Sequence, residues 1–237
     1  MASAATGKVY LIPSFIDEES LQTIPAYILD AVKECTVFFV ENERSARRYL
    51  KQLWKEMVID NYEWHTIHKA EEEVKDVFKK ALQRGVTIGI ISEAGCPGVA
   101  DPGQVLVEAA HTLGAAVKPL VGPSAILLAL MASGMNGQCF QFAGYIPIDT
   151  AERIKTLKDM ENESAKKNCT QVFIETPYRN NQLTETICKT LRPATRLCIA
   201  ADITGANEYI KTKTIADWKN KLPDIHKHPA IFLLHAY

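Results

Sequence analysis

The chain has no cysteine pair at C-x-x-C spacing. Its six cysteines, at 35, 96, 139, 169, 188 and 198, are irregularly spaced. That pattern argues against a zinc site or a disulfide framework, and for a reducing compartment. No long apolar run is present: the longest, Ala125 to Ala132, falls far short of the roughly 20 residues a membrane span needs. No signal peptide opens the chain, so a cytoplasmic protein with no membrane role is expected. There is no excess of charge of either sign. A net charge of −1 gives no bulk footprint for nucleic acid, so RNA contact would need a local patch. Phosphate-binding and hydrolase signatures are missing as well: no P-loop lysine, no G-x-G-x-x-G, no G-x-S-x-G elbow. Internal repeats and low-complexity segments are also absent.

What is present is an ordinary globular composition, 47% hydrophobic and 23% charged over 237 residues, enough for one large or two modest domains. The first half alternates strand and helix signals. Strands are expected at 9–12, 36–40, 64–67, 86–91 and 116–121. One helix places Leu21, Ile24, Ile28 and Val32 on a single face; others run from Arg44 towards Glu56, over 70–84 and over 104–113. Repeated βα units of this kind imply a mostly parallel sheet with helices on both faces. The segment Pro119 to Ser124 reads as a boundary. The all-apolar helix 125–133 that follows reads as a buried one. The second half has strand signals at 140–145, 171–175, 196–200, 208–212 and 230–235, with helices near 151–163, 179–191 and 215–221. Strands 196–200 and 208–212 are joined too closely for a helix between them, so that pair is expected to be antiparallel. The fold class is therefore α/β in two domains, a parallel-sheet domain at 7–121 and a mixed-sheet domain at 122–237.

The segment Ser92-Glu93-Ala94-Gly95-Cys96-Pro97-Gly98-Val99-Ala100-Asp101-Pro102-Gly103 carries the most functional information. Glycine permits conformations and close approach that other residues do not, and proline fixes the loop around it. A loop at the carboxyl end of a parallel strand sits where open α/β sheets bind ligands. Without phosphate chemistry, it suggests a ligand held by backbone groups and shape. Gly122-Pro123-Ser124-Ala125 is a second such junction, though Ser124 is equally explained as a helix cap. Glu175 to Arg179 again ends a strand and opens a helix, and a surface ion pair between its two ends accounts for it. Asp202, Thr204 and Glu208 suit turn chemistry, and Glu41 to Arg44 suits helix capping. His65 and His68 lack a third ligand, so no metal site is expected; His226 and His228 look solvated. Cys35, Cys188 and Cys198 read as core fillers, and Cys96, with no histidine near it, is not placed as a nucleophile.

Together these motifs resemble the tetrapyrrole (corrin/porphyrin) methylase superfamily, and most closely its bacterial small-subunit rRNA (cytidine ribose 2′-O) methyltransferase branch. The likeness runs from Gly7-Lys8-Val9-Tyr10-Leu11-Ile12-Pro13 to Ala230-Ile231-Phe232-Leu233-Leu234. Ser92 to Pro97 with Asp101-Pro102-Gly103 looks like S-D-A-G-T-P…D-P-G, Gly122 to Ala125 like G-P-S/C-A, Gly144-Tyr145-Ile146-Pro147 like G-F-L-P, and Glu175 to Arg179 like E-S-x-x-R. The resemblance implies S-adenosyl-L-methionine as cofactor, folded into a cleft between two α/β domains, and a homodimer. Its cofactor contacts would fall on Pro13, Gly95, Cys96, Val99, Ser124, Ala125, Thr176, Ala201 and Ala230. A ribose acceptor needs its proton removed, so a carboxylate is expected; Glu93 and Asp101 are the candidates, with Arg179 as a phosphate or carboxylate contact.

The chain departs from that branch at several places. Phe15-Ile16-Asp17 stands for G-N-L, Glu41 to Arg44 for E-D-T-R, Ala201 to Gly205 with Glu208 for R-E-L-T-K…E, and Lys227-His228-Pro229 for K-G-E. Three functions stay open on the sequence: an rRNA methyltransferase, a tetrapyrrole methylase, and a cofactor-binding domain that has lost catalysis.

Overall fold

The computed structural model describes residues 7–67 and 71–237, leaving aside the side chains of Glu71 and Glu72; His68 lies outside the described residues. The chain divides into two compact units, Met1–Ser124 and Ala125–Tyr237.

In the N-terminal unit, β1 (Lys8–Ile12), β2 (Val37–Val40), β3 (Glu63–Thr66), β4 (Thr87–Ile91) and β5 (Ala116–Pro119) alternate with α1 (Ile28–Glu34), α2 (Glu43–Leu53), α3 (Glu71–Gln83) and α4 (Gln104–Thr112). The sheet order is β3-β2-β4-β1-β5 and every pairing is parallel. Both faces are covered, which is why the central strands are nearly continuous apolar runs. Phe38 and Val40 of β2 pack with α1 and α2 on one face, whereas Val37 and Phe39 pack with α3 and α4 on the other. Gly89 lies at the centre of the sheet, where a Cβ would come within 2.8 Å of both Ile12 and Phe38 side chains.

One expected helix is broken in two. Leu21–Thr23 forms a single 3-10 turn and α1 begins only at Ile28. Pro25 forces the residue before it out of the helical region, and Ile24 indeed has φ −91° and ψ 120°.

In the C-terminal unit, α5 (Ala125–Ser133) leads into β6 (Phe140–Tyr145), α6 (Thr150–Lys167), β7 (Thr170–Ile174), α7 (Asn180–Thr190), β8 (Arg196–Ala201), β9 (Tyr209–Thr214), α8 (Ile215–Trp218) and β10 (Ala230–His235). The sheet runs β6-β7-β10-β8-β9. Only β6 and β7 are parallel, and β8 and β9 pair antiparallel as their short connection requires. Trp218 is fully buried and its indole N–H donates to the Leu197 carbonyl at 2.9 Å. On one face α6 and α7 close the larger core, and α5 closes the smaller core on the other. Helix α5 is not buried all round: Ala129, Leu130 and Ser133 face the unit's core, but Leu127 is 50% and Met131 79% exposed. An apolar helix that keeps one face in water is suited to an interface.

Candidate functional site

Strands β1 and β4 are neighbours whose chains leave for opposite faces of the N-terminal sheet, β1 towards α1 and β4 towards α4. The crevice at their carboxyl ends is thus a topological switch point, where open α/β sheets bind ligands. Three loops meet there. Ser14, after β1, exchanges both backbone bonds with Gly95, after β4: Ser14 N–H donates to the Gly95 carbonyl at 2.9 Å and Gly95 N–H to the Ser14 carbonyl at 3.2 Å. The Ser14 hydroxyl donates to the Ser92 carbonyl at 3.1 Å. The loop after β5 closes against them, the Cys96 thiol reaching the Pro123 carbonyl at 3.4 Å. The Tyr49 hydroxyl, from α2, donates to the Pro13 carbonyl at 2.7 Å and holds the proline from behind.

Glycine is required at two of these points. Gly95 has φ +72°, a region L side chains rarely adopt. At Gly122 a Cβ would overlap the ring of Pro13. Gly122→Ala is therefore expected to destabilise the protein by about 1–3 kcal/mol, the usual cost of overpacking, and to loosen the junction of Pro13 with Gly122–Ser124. Thermal melting measures the first effect; an unchanged melting temperature would mean that Pro13 moves freely.

The side chains around the crevice are acidic. Glu41 accepts from the Glu93 backbone N–H at 3.0 Å, and Glu93 accepts from the Ser45 hydroxyl at 3.2 Å. Asp101 is partly buried with Glu41 and Glu93 nearby. Its carboxyl is pushed up to about 6, first by desolvation, then by repulsion from Glu41, with a smaller push from Glu93, against a Ser92 hydrogen bond that lowers it. The glycine loop itself carries no Lys or Arg. An array of carboxylates beside backbone carbonyls suits a cationic ligand and would repel a phosphate. Gly98, with φ +77° and nothing within 4 Å of where its Cβ would stand, keeps the loop open on one side. Val99 is half exposed and Ser124 is partly buried. Among the described residues, no three His, Cys, Asp or Glu side chains are grouped to hold a metal ion.

A second cluster lies in the C-terminal unit. Thr176 follows β7, Ala201 ends β8 and Ala230 opens β10, with Ala201 and Ala230 directly paired. Asp202, at φ 50°, donates its N–H to the Pro229 carbonyl at 3.0 Å. His228 is not simply solvated: its Nδ1 meets the Asp202 carboxylate at 2.6 Å. Thr204 N–H is held by Glu208 at 2.8 Å, so those residues do serve the turn. The Glu175–Arg179 pair is not a surface pair. The Glu175 side chain is fully buried, and one of its oxygens accepts from Arg179 at 3.0 and 2.5 Å and from the Thr176 N–H at 2.7 Å.

Ser14, Glu41 and Ser45 were not singled out as site residues in the sequence. Only the position of Ser14, directly after Pro13 at a strand end, hints at its role; the other two look like helix-start chemistry.

With this geometry in place, comparison with known proteins decides the family. The model for tetrapyrrole (corrin/porphyrin) methylases matches residues 9–218. The chain belongs to that family. It is therefore a methyltransferase by descent. Its relatives include the ribosomal RNA small subunit methyltransferase I of Vibrio cholerae, 28% identical over 97% of this chain and 77% of the relative. The protein of the same name from Mesorhizobium japonicum is 36% identical over 57% of this chain and 45% of the relative. Among solved structures, the methyltransferase CobJ superposes with a TM-score of 0.65 at 17% identity, over 97% of this chain and 94% of CobJ. A uroporphyrin-III C-methyltransferase from Thermus thermophilus, complexed with S-adenosyl homocysteine, gives 0.56 at 17% identity, with 97% of each chain covered.

Proposed function

We propose that this methyltransferase moves the methyl group of S-adenosyl-L-methionine to a ribose 2′-hydroxyl of small-subunit ribosomal RNA. The observation that carries the reading is the crevice at the β1/β4 switch point, lined by backbone groups and by Glu41, Glu93 and Asp101, with no cation in its glycine loop. S-adenosyl-L-methionine supplies a methyl carbon on a positive sulfonium, and the acidic crevice is complementary to that charge. The contacts assigned to it are Pro13, Gly95, Cys96, Val99, Ser124 and Ala125, with Thr176, Ala201 and Ala230 in the second cluster. Residues 7–121 and 122–237 act as the two domains. The relatives' names supply the rRNA acceptor.

Asp101 takes the ribose proton as general base. When bound, S-adenosyl-L-methionine would supply the methyl carbon to that hydroxyl oxygen and leave as a neutral thioether. A carboxyl at about 6 is mostly ionised at neutral pH yet more basic than an ordinary aspartate. Positioning of the two reactants supplies the rest, with about 7–11 kcal/mol attainable from alignment alone. Glu93 holds the loop through Ser45, and the exposed edge of Arg179 is left for a phosphate. The six free thiols fit a cytoplasmic enzyme.

Calorimetry with S-adenosyl-L-methionine and transfer of its labelled methyl to small ribosomal subunits from a strain lacking the modification form the test. Binding and transfer are expected; transfer only to a tetrapyrrole, or binding without transfer, overturns the acceptor assigned here.

The protein acts as a homodimer through α5. Leu127 is exposed on this helix, and Met131 lines an apolar groove of about 340 Å3 with Leu128, Ile203 and Ile210; a face of this kind is what an isologous contact buries. Met131→Glu is expected to halve the mass measured by light scattering and leave the melting of each unit intact. A wild-type chain that is monomeric at micromolar concentration sinks the assignment.

A further inference from the structure

The irregular spacing of the cysteines conceals one pair. Cys139 and Cys169 are far apart in the chain, yet each immediately precedes a strand, β6 and β7, and those two strands are neighbours. Their register pairs Phe140 with Thr170, which sets the two cysteines side by side one position earlier. The Thr170 N–H donates to the Cys139 carbonyl at 2.9 Å, and the two thiols are in hydrogen-bond contact. Neighbouring strands lie about 4.7–4.9 Å apart, inside the roughly 4.4–6.8 Å between Cα atoms that a disulfide spans.

The backbone around the pair is fixed. The Asn136 side chain accepts from the Cys139 N–H at 3.2 Å and donates to the Asn168 carbonyl at 2.7 Å. The Thr170 hydroxyl donates to the Asn136 carbonyl at 2.9 Å, and the Cys169 N–H donates to the Ser164 carbonyl of α6 at 3.1 Å. One asparagine thus ties the two chain segments together, and joining the sulfurs asks only for rotation of the side chains. The two sulfurs differ in access. Of the six thiols Cys139 alone is exposed, whereas Cys169 is only 4% exposed. Burial, and then the hydrogen bond to Cys139, push the Cys169 thiol up to about 11. It therefore stays protonated at neutral pH and is not the sulfur an oxidant meets first. The Lys167 ammonium, tied to Glu163 at 2.6 Å, stands beside both thiols, and a cation there favours a thiolate.

We propose that Cys139 and Cys169 are an oxidisable dithiol that reacts with hydrogen peroxide and closes as a disulfide, stapling the start of β6 to the start of β7. The Cys139 thiolate attacks a peroxide oxygen, the O–O bond breaks, and a sulfenic acid forms. The Cys169 sulfur then attacks the Cys139 sulfur, so that the S–S bond forms as the S–O bond breaks and water leaves. The two thiols lose two electrons and two protons, and the peroxide is reduced to two molecules of water. In a reducing compartment the pair rests as thiols and closes only when oxidant rises. The staple closes a loop that holds β6 and α6. It sits at the amino ends of β6 and β7, whereas Thr176 follows the carboxyl end of β7. Oxidation therefore constrains the C-terminal unit away from the groups assigned to the cofactor.

Treating the whole protein with hydrogen peroxide tests this, and none of the readouts depends on cofactor or acceptor. Two of the six thiols are expected to be lost. Peptide mapping without reductant should find one cross-linked species carrying Cys139 and Cys169, and dithiothreitol should restore both thiols. The oxidised protein should melt higher by roughly 5 °C or more, because the closed loop restricts the unfolded chain. Cys139→Ser, at an exposed position, should keep its remaining thiols under the same treatment and show no rise in melting temperature. Cys169→Ser should stop at a sulfenic acid on Cys139, which dimedone traps. Retention of all thiols by the wild type, a disulfide joining two chains, or a melting temperature unchanged by oxidation overturns the proposal.

Discussion

Replacing Asp101 by asparagine is expected to lower methyl transfer by about 100-fold or more, the span of general-base catalysis, and to raise stability at pH 7. The two effects share one cause. The carboxyl sits at about 6, against an ordinary value of 3.8, because burial and the charges of Glu41 and Glu93 oppose its ionisation. The folded protein thus binds this proton more tightly than the unfolded chain does. The resulting stabilisation is fully present below about pH 3.8 and is lost as pH rises through about 6. At pH 7 the ionised side chain opposes folding, and the amide removes that opposition without changing shape. Activity in the wild type should rise as pH passes through 6, with the proton leaving the base. Glu41→Gln takes away the larger of the two repulsions, so it should move that rise to lower pH. A melting temperature unchanged in Asp101→Asn at pH 7, or a pH–rate profile flat between 5 and 7, would show that Asp101 is neither strained nor the base. A gain in stability with loss of function is the usual signature of a residue kept for chemistry.

The contrast between Asp101 and its sequence context shows what the chain discloses in advance. The glycine loop, the strand before it and the helix after it are local patterns: the run Thr87–Ile91 is apolar, Gly103 precedes α4, and each is readable within a dozen residues. The acidity of the crevice is not local. Glu41 lies at the end of β2 and reaches Asp101 only because β2 and β4 are adjacent in the sheet, an order no periodicity encodes. Ser14 is likewise joined to Gly95 by strand neighbourhood. Helix α5 shows the reverse failure. Its sequence is apolar on every side, and a pattern of that kind cannot distinguish core from interface. The split of the expected 21–32 helix was legible in principle, since Pro25 stands in its middle and overrules the apolar spacing of Leu21, Ile24 and Ile28.

Arg179→Met is expected to destabilise the protein by about 3 kcal/mol, the lower end of the cost of stranding a buried charge. The i,i+4 spacing of Glu175 and Arg179 suggests a solvated pair worth a few tenths of a kcal/mol. Burial changes that magnitude. The Glu175 side chain has no exposure, whereas that of Arg179 keeps 30%, so the carboxylate depends on the guanidinium and on the Thr176 N–H alone. Its second oxygen has no hydrogen-bond partner, which leaves no reserve when Arg179 is lost. Glu175→Gln should cost less, because a neutral amide leaves only a half-exposed cation behind. The double variant should be more stable than the sum of the singles predicts, by roughly 1–2 kcal/mol of coupling. Urea unfolding of the four proteins measures the cycle. The same variants separate two roles for Arg179. If it serves only to neutralise Glu175, the double variant should recover methyl transfer along with stability. If its exposed edge binds a phosphate of the acceptor, stability should return while KM for the small subunit stays raised. Zero coupling would show that the pair is screened by water after all, and that Thr176, whose N–H it positions, is held in place by the strand end alone.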